Sequence, residues 1–575
     1  MVGVPGRSKG CHTCRQRRIK CGGELPTCQN CTKSKRICTG YQRQYVFVLS
    51  ESMAVEGPVQ SDGQPSPQSD TDSGSVMLAR WRPNKSKPIS PRPKIGSLIP
   101  KMSAVPVHLP QNVSNQHVYR SRFISLMFEN DSASGGSEDS NTFKTFGDRY
   151  DWSFQILSLS SLTPALENAL LATSTARLGR HTNRPALVCE SLKLYTQSVA
   201  QVRRDILRDT AAPANEQSLA ACLSLLLYEA IECPGKTMDG YLAHYRGCLK
   251  LLQMREAGAY TTGLAHTTLQ ILRLHTVILG NEPSGISFLA QPDWLDLPWS
   301  SAPDTKSLFE QLVDILLQLP NLASQMATLA ATRDPQHVLQ TTWDAIEEVQ
   351  KTEDALEDWF GRFRAALPGD GGSLYRAELS QLDSVVDSAA QGKLFPVAFH
   401  FPAFMVGQAL VYYWVTLMSV RARLCWKHEV LRDLAATLDR LGRARLPCAC
   451  ETHYRRSGDN AEPETRKAGT APCLRHFDPA RLPRLARRAA WPQDIARNVC
   501  QSAEYFLRDT NRGFGPASVL PALEWVRGFW QHAPGEWGRE MAWIDDMVGR
   551  IHASGYGIAG AMLDQRAREG ARAGL

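Results

Sequence analysis

After about residue 117, hydrophobic positions recur at spacings of three and four along the chain. Series of this kind run over 192–206, 219–230 and 242–252, and the first consists of Leu192, Tyr195, Val199, Val202 and Ile206. Because this spacing places apolar side chains on one side of a helix, each series predicts an amphipathic helix with one buried face. Strands with alternating apolar and polar residues are not evident. The sequence therefore predicts a mainly α protein with a large all-helical domain.

Local signals mark where some of these helices begin and end. Thr163 followed by Pro164 places a capping hydroxyl before a first-turn proline. Pro234-Gly235 breaks the chain between two helical series.

Residues 394–420 form a run of 27 residues without Lys, Arg, Asp or Glu, which is long enough to raise a transmembrane helix. Prolines interrupt the run at Pro396 and Pro402, and its aromatic cluster lies in the middle instead of at two membrane interfaces. A buried central helix is the favoured interpretation, and no membrane is expected as a partner.

Composition divides the chain into three regions. Residues 1–50 are rich in cysteine and basic residues, residues 51–115 contain ten prolines and much Ser, Gln and Asp, and the helical pattern occupies 116–575. The middle region is interpreted as a disordered linker. Within the last region, 445–492 lacks a helical pattern and is interpreted as a disordered insertion. Its potential metal ligands, whose spacing fits no zinc module that can be justified physically, are Cys448, Cys450, His453, Cys473 and His476.

The densest chemistry lies near the N-terminus, where six of the fifteen cysteines fall within 28 residues. Two close pairs, each followed by a third cysteine six residues on, have the spacing of metal ligands. The six residues are Cys11, Cys14, Cys21, Cys28, Cys31 and Cys38.

Disulfide bonds are the alternative use of these cysteines. The first ten residues contain no apolar run of signal-peptide length, and the other nine cysteines are scattered through apparent helices, which favours a reducing compartment. Between residues 11 and 38 only Ile19, Leu25 and Ile37 are large aliphatic residues, too few to bury a core. Structural zinc supplies about 10 to 16 kcal/mol of apparent binding free energy in zinc-finger peptides, so metal is the natural candidate.

Charge indicates what such a segment would bind. The chain has a formal net charge of +8, whereas residues 1–45 hold ten Lys or Arg against one acid, Glu24, which is about +9. The remaining 530 residues therefore sum to about −1. With two zinc ions and six thiolates counted, the segment stays near +7, which suits a polyphosphate. Double-stranded DNA is the expected partner.

These residues resemble the fungal binuclear zinc cluster, the Zn2Cys6 DNA-binding domain of fungal transcription regulators. The resemblance implies two structural zinc ions in closed sites, since four sulfurs surround each ion. In the family the first and fourth cysteines bridge both ions. Carried over by position, the bridges are Cys11 and Cys28, one ion adds Cys14 and Cys21, and the other adds Cys31 and Cys38.

The resemblance also gives DNA-binding roles to RQRRIK at 15–20. In the family a short helix there enters the major groove, and the residue at the position of Arg18, mostly a lysine, reads a CGG triplet. Arginine pairs bidentately with guanine O6 and N7, so guanine readout is retained. Arg15, Arg17 and Lys20 are interpreted as phosphate contacts. A solvated charge run or a nuclear-import signal is the alternative for this hexamer.

The helical region resembles the fungal-specific transcription factor domain, through LLLYEAIE at 225–232, HYRGCLKLLQ at 244–253 and the segment 161–181. The two resemblances together imply a nuclear, sequence-specific DNA-binding regulator of transcription that reads a short GC-rich, CGG-like element and contacts the transcription machinery. Control of pathway-specific genes, such as a secondary-metabolite cluster, is a further expectation. No sustained heptad follows the cysteines, so the sequence does not decide between a monomer and a homodimer.

Other functions stay open at this stage. One is a metabolite sensor whose helical domain binds a small molecule, which only fold analogy suggests. Another is an enzyme, which is less favoured because the helical region has no phosphate-binding glycine loop, GxSxG elbow or HExxH motif. For Glu229 and His244, which lie near the helical motifs, a core or surface role is favoured over catalysis.

Overall fold

The structure is a computed structural model that describes residues 13–14, 17, 19–21, 28–34, 36, 151–208, 215–279, 288–319, 334–367, 373–443, 446, 473–478, 491–511, 514–533 and 535–573. The chain divides into two compact units, Met1–Leu109 and Pro110–Leu575. The described part of the first unit includes a short helix, α1 (Gln29–Lys33). The linker predicted at 51–115 lies outside the described residues.

The second unit is built mainly from helices, which confirms the predicted fold class. Its first half contains α2 (Asp151–Ser158), α3 (Pro164–His181), α4 (Pro185–Arg208), α5 (Glu216–Glu232), α6 (Asp239–Gln253), α7 (Gly263–Ile278), α8 (Pro292–Asp296) and α9 (Leu308–Leu317). Its second half contains α10 (Pro335–Ala366), β1 (Arg376–Leu379), β2 (Val397–His400), α11 (Phe404–Leu441), α12 (Trp491–Leu507), α13 (Gly515–His532), α14 (Gly538–Ala553) and α15 (Gly557–Ala573). One extensive apolar core runs through both halves.

The predicted helix boundaries are confirmed where a capping residue or a proline marks them. Helix α3 begins at Pro164, and the Thr163 side chain accepts a hydrogen bond from the Leu166 amide. Helix α5 ends at Cys233, which adopts a left-handed conformation with φ of 42° just before Pro234-Gly235. The chain then re-enters the bundle as α6.

The buried face of α4 differs from the predicted one. Leu192 and Ile206 expose 42% and 37% of their surface, whereas Ser191 and Ser198 are fully buried. Helices α3 and α4 pack against each other, and Ser198 Oγ donates a 2.7 Å hydrogen bond to the Ala165 carbonyl. Small hydroxyl residues satisfied by a helix carbonyl let the two backbones approach. A count of apolar positions alone misses these serines, although Val202 of the predicted face is buried.

The prediction of an all-helical domain is wrong at one place. Strands β1 and β2 pair antiparallel, with Arg376 opposite His400. The four residues of β1 are exposed, while β2 faces the core with buried side chains at Ala398, Phe399 and His400. Proline has no backbone N–H to donate and therefore interrupts a helix. Pro402 lies between β2 and the helix that follows.

The uncharged run at 394–420 is shared between β2 and the first half of α11. Every residue from Phe404 to Met418 is buried, which confirms the central buried helix from Phe404 onward. Across the described stretches of the chain, no helix combines the length and apolarity that crossing a bilayer would require.

The predicted insertion at 445–492 is described only in part. Residues 473–478 form a turn whose Phe477 is fully buried, and Arg443 Nη1 donates a hydrogen bond to the Phe477 carbonyl. Residues 491 and 492 already belong to α12. The disorder predicted for most of the remainder concerns positions outside the described residues.

Candidate zinc cluster and DNA-binding surface

Three cysteine sulfurs of the first unit converge on one point. Cys14 Sγ lies 3.5 Å from Cys28 Sγ and 3.9 Å from Cys31 Sγ, and all three sulfurs lie within 4.8 Å of one another. The three side chains are fully buried, and Cys21 packs against them half-buried. Cys11 and Cys38 lie outside the described residues.

The local backbone explains how two of these sulfurs come together. Cys28 is the N-cap of α1, in an extended conformation, and its sulfur accepts a hydrogen bond of 3.4 Å from the Cys31 amide. The spacing C-x2-C therefore places both sulfurs on the same side of the first helical turn. The Thr32 hydroxyl donates to the Cys28 carbonyl at 3.3 Å and fixes the same turn.

The two halves of the cysteine segment share a backbone feature. The Ile19 amide donates to the Cys14 carbonyl at 3.0 Å, and the Arg36 amide donates to the Cys31 carbonyl at 3.0 Å. Both bonds run from a residue five positions after the second cysteine of a pair. The repeated C-x2-C-x6-C spacing thus corresponds to a repeated turn.

The sulfur positions fit a metal better than a disulfide. A disulfide joins two sulfurs at about 2.05 Å, which is far shorter than the distances from Cys14 Sγ to Cys28 Sγ and to Cys31 Sγ. Zinc bound tetrahedrally at about 2.3 Å from sulfur separates two sulfurs by about 3.8 Å. The distances of 3.5 and 3.9 Å lie on either side of that value.

The pairing of Cys14 with Cys31 differs from the ligand sets that the resemblance implies, which place these residues on different ions. Their sulfurs are as close as two ligands of one ion. The geometry brings together three of the six predicted ligands, and the division of the six between two ions stays a prediction.

Two of the four predicted DNA contacts are described, and both face solvent. Arg17 is exposed, and its guanidinium donates a 3.3 Å hydrogen bond to Ser34 Oγ at the end of α1. Lys20 has an exposed side chain, while its backbone carbonyl accepts a hydrogen bond from Asn30 Nδ2. These contacts tie the basic segment to α1. Arg15 and Arg18 lie outside the described residues.

The second half of the segment presents basic residues that the sequence interpretation left out of the DNA-binding set. Lys33 in α1 and Arg36 after it are both exposed. The signal that marks them is the basic run KSKR at 33–36, which lies between Cys31 and Cys38 as RQRRIK lies between Cys14 and Cys21.

In the second unit, Glu229 and His244 meet at a tyrosine. The Tyr195 hydroxyl donates to Glu229 Oε1 at 2.5 Å and lies 2.9 Å from His244 Nε2. Burial raises the pKa of Glu229 and lowers the pKa of His244 to about 4. Gly240 leaves room for the carboxylate, because a Cβ there would lie 2.5 Å from it. The cluster is a satisfied packing contact between α4, α5 and α6.

One pair from the second group of cysteines and histidines is also described. Cys473 Sγ lies 3.4 Å from His476 Nδ1 across a turn closed by the His476 amide and the Cys473 carbonyl. Cys448, Cys450 and His453 lie outside the described residues.

Comparisons with known proteins found similarity around the cysteine segment. Residues 9–45 match the family described as the fungal Zn(2)-Cys(6) binuclear cluster domain. White-opaque regulator 2 of Candida albicans is 64% identical over 33 residues, which is 6% of this chain and 7% of that protein. Transcriptional regulatory protein moc3 of Schizosaccharomyces pombe is 62% identical over 32 residues, 6% of each chain.

An uncharacterized transcriptional regulatory protein of Schizosaccharomyces pombe is similar over a longer stretch, with 36% identity over 81 residues, or 14% of each chain. The chain thus matches these curated relatives over a small share of their own length. The two Schizosaccharomyces pombe proteins are named as transcriptional regulatory proteins. No solved structure matches the chain.

Proposed function

Given that residues 9–45 form a fungal Zn(2)-Cys(6) binuclear cluster domain, which binds two zinc ions, we propose that this chain is a nuclear transcription regulator that binds double-stranded DNA. The domain reads a short GC-rich, CGG-like element, and the helical unit regulates it. Its targets are the genes of a particular pathway, such as a secondary-metabolite cluster. DNA binding, and not catalysis, is the activity of the N-terminal unit.

The observation that carries the proposal is the buried group of Cys14, Cys28 and Cys31 in a segment whose described basic side chains are exposed. Zinc held by buried thiolates orders a segment that has almost no apolar core. Arg17 and Lys20 then face solvent on an ordered support, where they are available to phosphates. Lys33 and Arg36 add phosphate contacts from the second half.

Within this proposal Cys11 and Cys28 bridge the two ions, and the remaining four cysteines complete the two sites. Replacing Cys28 by serine removes a ligand of both ions, so it lowers zinc content by more than one ion per chain and abolishes DNA binding. Cys189→Ser, at an exposed position of α4, is the matched control. Retention of both zinc ions by Cys28→Ser would exclude the bridge.

Selection of bound sequences from a random DNA pool by the full-length protein tests the proposed element. The expected consensus contains a CGG-like triplet, and its repetition, spacing and symmetry report whether the protein binds as a monomer or as a homodimer. Affinity for that sequence should fall steeply with salt, because the phosphate contacts release counterions. A selected pool without consensus, or binding that does not depend on salt, would contradict the proposal.

Two substitutions separate base reading from phosphate binding. Arg18→Ala should relax preference at one guanine, with a loss of about 1 to 3 kcal/mol of discrimination. Lys20→Ala should weaken all sequences alike and reduce the salt slope by about one. Competition binding with matched and single-mismatch duplexes measures both effects. If Arg18→Ala weakens every duplex equally, Arg18 binds phosphate instead.

A further inference from the structure

The buried half of α11 carries an unusual charge balance. From Phe404 to His428 the helix contains no Asp or Glu, but it contains Arg421, Arg423 and Lys427. Helix α11 packs against α9, α10, α12 and α13 inside the second unit. Buried cations ordinarily require a partner that supplies negative charge.

One of the three cations has such a partner. Arg421 Nε donates a 2.9 Å hydrogen bond to Glu353 Oε1, and both side chains are almost fully buried. Glu353 lies on α10, so this ion pair joins α10 to α11. Arg421 is thus a buried cation whose charge is balanced by a hydrogen-bonded carboxylate.

Arg423 and Lys427 lack an equivalent contact. They are one helical turn apart on α11 and therefore share a face. Arg423 Nη1 and Lys427 Nζ are both out of contact with solvent, and neither atom has a hydrogen-bond partner in the part of the chain that the structure describes. Lys427 as a whole is 0% exposed. The neighbouring His428 Nε2 is in the same condition.

The surroundings reduce this imbalance only slightly. Burial and the charge of Arg423 lower the pKa of Lys427 to about 8, and Glu348 on α10 opposes them only in part. Burial alone lowers the pKa of Arg423 to about 10. Both side chains thus remain largely protonated at neutral pH. The Trp426 ring, 5.9 Å from Lys427 Nζ, lies at the limit of a cation–π contact.

We propose that Arg423 and Lys427 form a binding site for a small oxyanion, a carboxylate or a phosphate, within the helical unit. The guanidinium offers parallel N–H donors that match the two oxygens of such a group, and the ammonium adds a point charge one turn away. Two like charges held close together repel each other, and a bound anion offsets that repulsion. A purely packing role at position 427 would be served better by an uncharged side chain of similar length.

This site goes beyond the proposed DNA binding and does not depend on it, because the zinc cluster belongs to the other unit. Its occupant would make the helical unit responsive to a metabolite. The chemistry is shared by organic acids and phosphorylated compounds, so both classes enter the test.

The test measures thermal unfolding of the full-length protein in sodium phosphate, sodium succinate and sodium chloride at equal ionic strength. Succinate binds zinc only weakly. Zinc content is measured on the same samples, so that any loss of zinc to an anion is detected, and DNA binding is measured as well. Kosmotropic anions stabilise most proteins by exclusion from the surface, so the readout is the difference between wild type and variants. Arg423→Met and Lys427→Met remove the site, while Arg440→Met, at an exposed position of the same helix, is the control.

In wild type and Arg440→Met, at least one of the two oxyanions should raise the unfolding temperature by about 1 to 3 °C more than in either site variant. Should the Met variants fail to fold, Arg423→Lys and Lys427→Arg replace them, and each should show a smaller increment than wild type because the fork geometry is altered. Equal increments in wild type and in the site variants, for both oxyanions, would overturn the proposal. DNA binding should be the same in all folded variants.

Discussion

At the scale of single residues, Tyr195 connects a buried carboxyl group to a buried imidazole. Its hydroxyl contacts Glu229 and His244, and its ring stacks on Tyr228 with centroids 4.6 Å apart. Burial lowers the pKa of His244 to about 4, so the folded protein holds a neutral imidazole where the unfolded chain would bind a proton below pH 6.5. Stability is therefore linked to the protonation of this histidine.

Because folding lowers the pKa of His244, this residue makes the protein less stable as the pH falls. The contribution of His244 is fully present above pH 6.5, and it is lost as the pH falls from 6.5 towards 4, because only the unfolded chain takes up the proton. The loss should reach about 2 to 3 kcal/mol. His244→Gln keeps a hydrogen-bonding group without titration. As the pH falls from 6.5 to 4, the free energy of unfolding of wild type should therefore decrease relative to that of this variant.

Chemical denaturation at a series of pH values measures this difference. Glu310, whose pKa burial raises to about 7, has the opposite sign, since its contribution is lost as pH rises. It is present in both proteins and cancels in the comparison. His532→Gln, at an exposed position of α13, is the control. If the curves of wild type and His244→Gln run parallel from pH 8 to 4, the histidine does not stabilise the fold by staying neutral.

Residue types that leave a distinct chemical signature could be predicted from the sequence. The turn that brings Cys28 and Cys31 together and the cap at Thr163 belong to this class, since spacing or a neighbouring proline restricts the conformation directly. The buried serines of α4 could not be predicted, because a hydroxyl counts as polar until the helix carbonyl that accepts from it is known. Arg423 and Lys427 likewise look like surface cations in the sequence.

At the scale of elements, the backbones of α12 and α13 meet where α13 begins. A Cβ on Gly515, the first residue of α13, would fall on the Phe506 carbonyl oxygen near the end of α12. A carbonyl within a helix cannot move away as a flexible side chain can. Glycine is therefore required here by space, whereas Gly528 in the same helix has no atom within 4 Å of its Cβ position.

Alanine at these two glycines should act in opposite directions. Gly515→Ala forces α12 and α13 apart and should destabilise the protein by about 1 to 3 kcal/mol. Gly528→Ala should stabilise it by up to about 1 kcal/mol, because alanine has the higher helix propensity in a helix interior. Denaturant midpoints of the two variants and wild type give the comparison. A Gly515→Ala variant as stable as Gly528→Ala would mean that α12 and α13 are not closely packed at Gly515.

The elements differ in how well the sequence predicted them. The helices of the 192–252 region follow from spacing, because polar positions alternate with apolar ones and define a period. Across 394–420 nearly every position is apolar, so no period distinguishes a strand from a helix. The sequence consequently predicts one continuous helix where the structure has strand β2 followed by α11. Strand β1 pairs with β2 through exposed residues, and such a strand carries almost no hydrophobic signal.

At the scale of the whole molecule, charge and metal chemistry are concentrated in one unit and hydrophobic core in the other. The first 45 residues carry a charge of about +9, and the rest of the chain carries about −1. The helical unit holds the extensive apolar core. The sequence could predict this division from composition alone. What the helical unit recognises could not be predicted, because its candidate ligand contacts come from side chains whose burial only the folded chain reveals.

This division predicts that metal removal affects the two units differently. Chelation by 1,10-phenanthroline should remove about two zinc ions per full-length chain and abolish DNA binding, because the cysteine segment has no core to hold it without metal. The main thermal unfolding transition, which reports the helical unit, should shift by less than about 1 °C. Zinc analysis, a DNA-binding assay and calorimetry on the same samples measure the three quantities. The non-chelating 1,7-phenanthroline is the control, and added zinc should restore binding.

A different result would have a specific physical meaning. Cys473 Sγ and His476 Nδ1 already lie 3.4 Å apart in the helical unit, a separation that two ligands of one metal ion also show. If chelation removes about three zinc ions and lowers the main transition by several degrees, a metal contributes to the stability of the helical unit as well. Cys473→Ser distinguishes the cases, because it should leave zinc content unchanged when metal is confined to the cluster and reduce it by one ion otherwise.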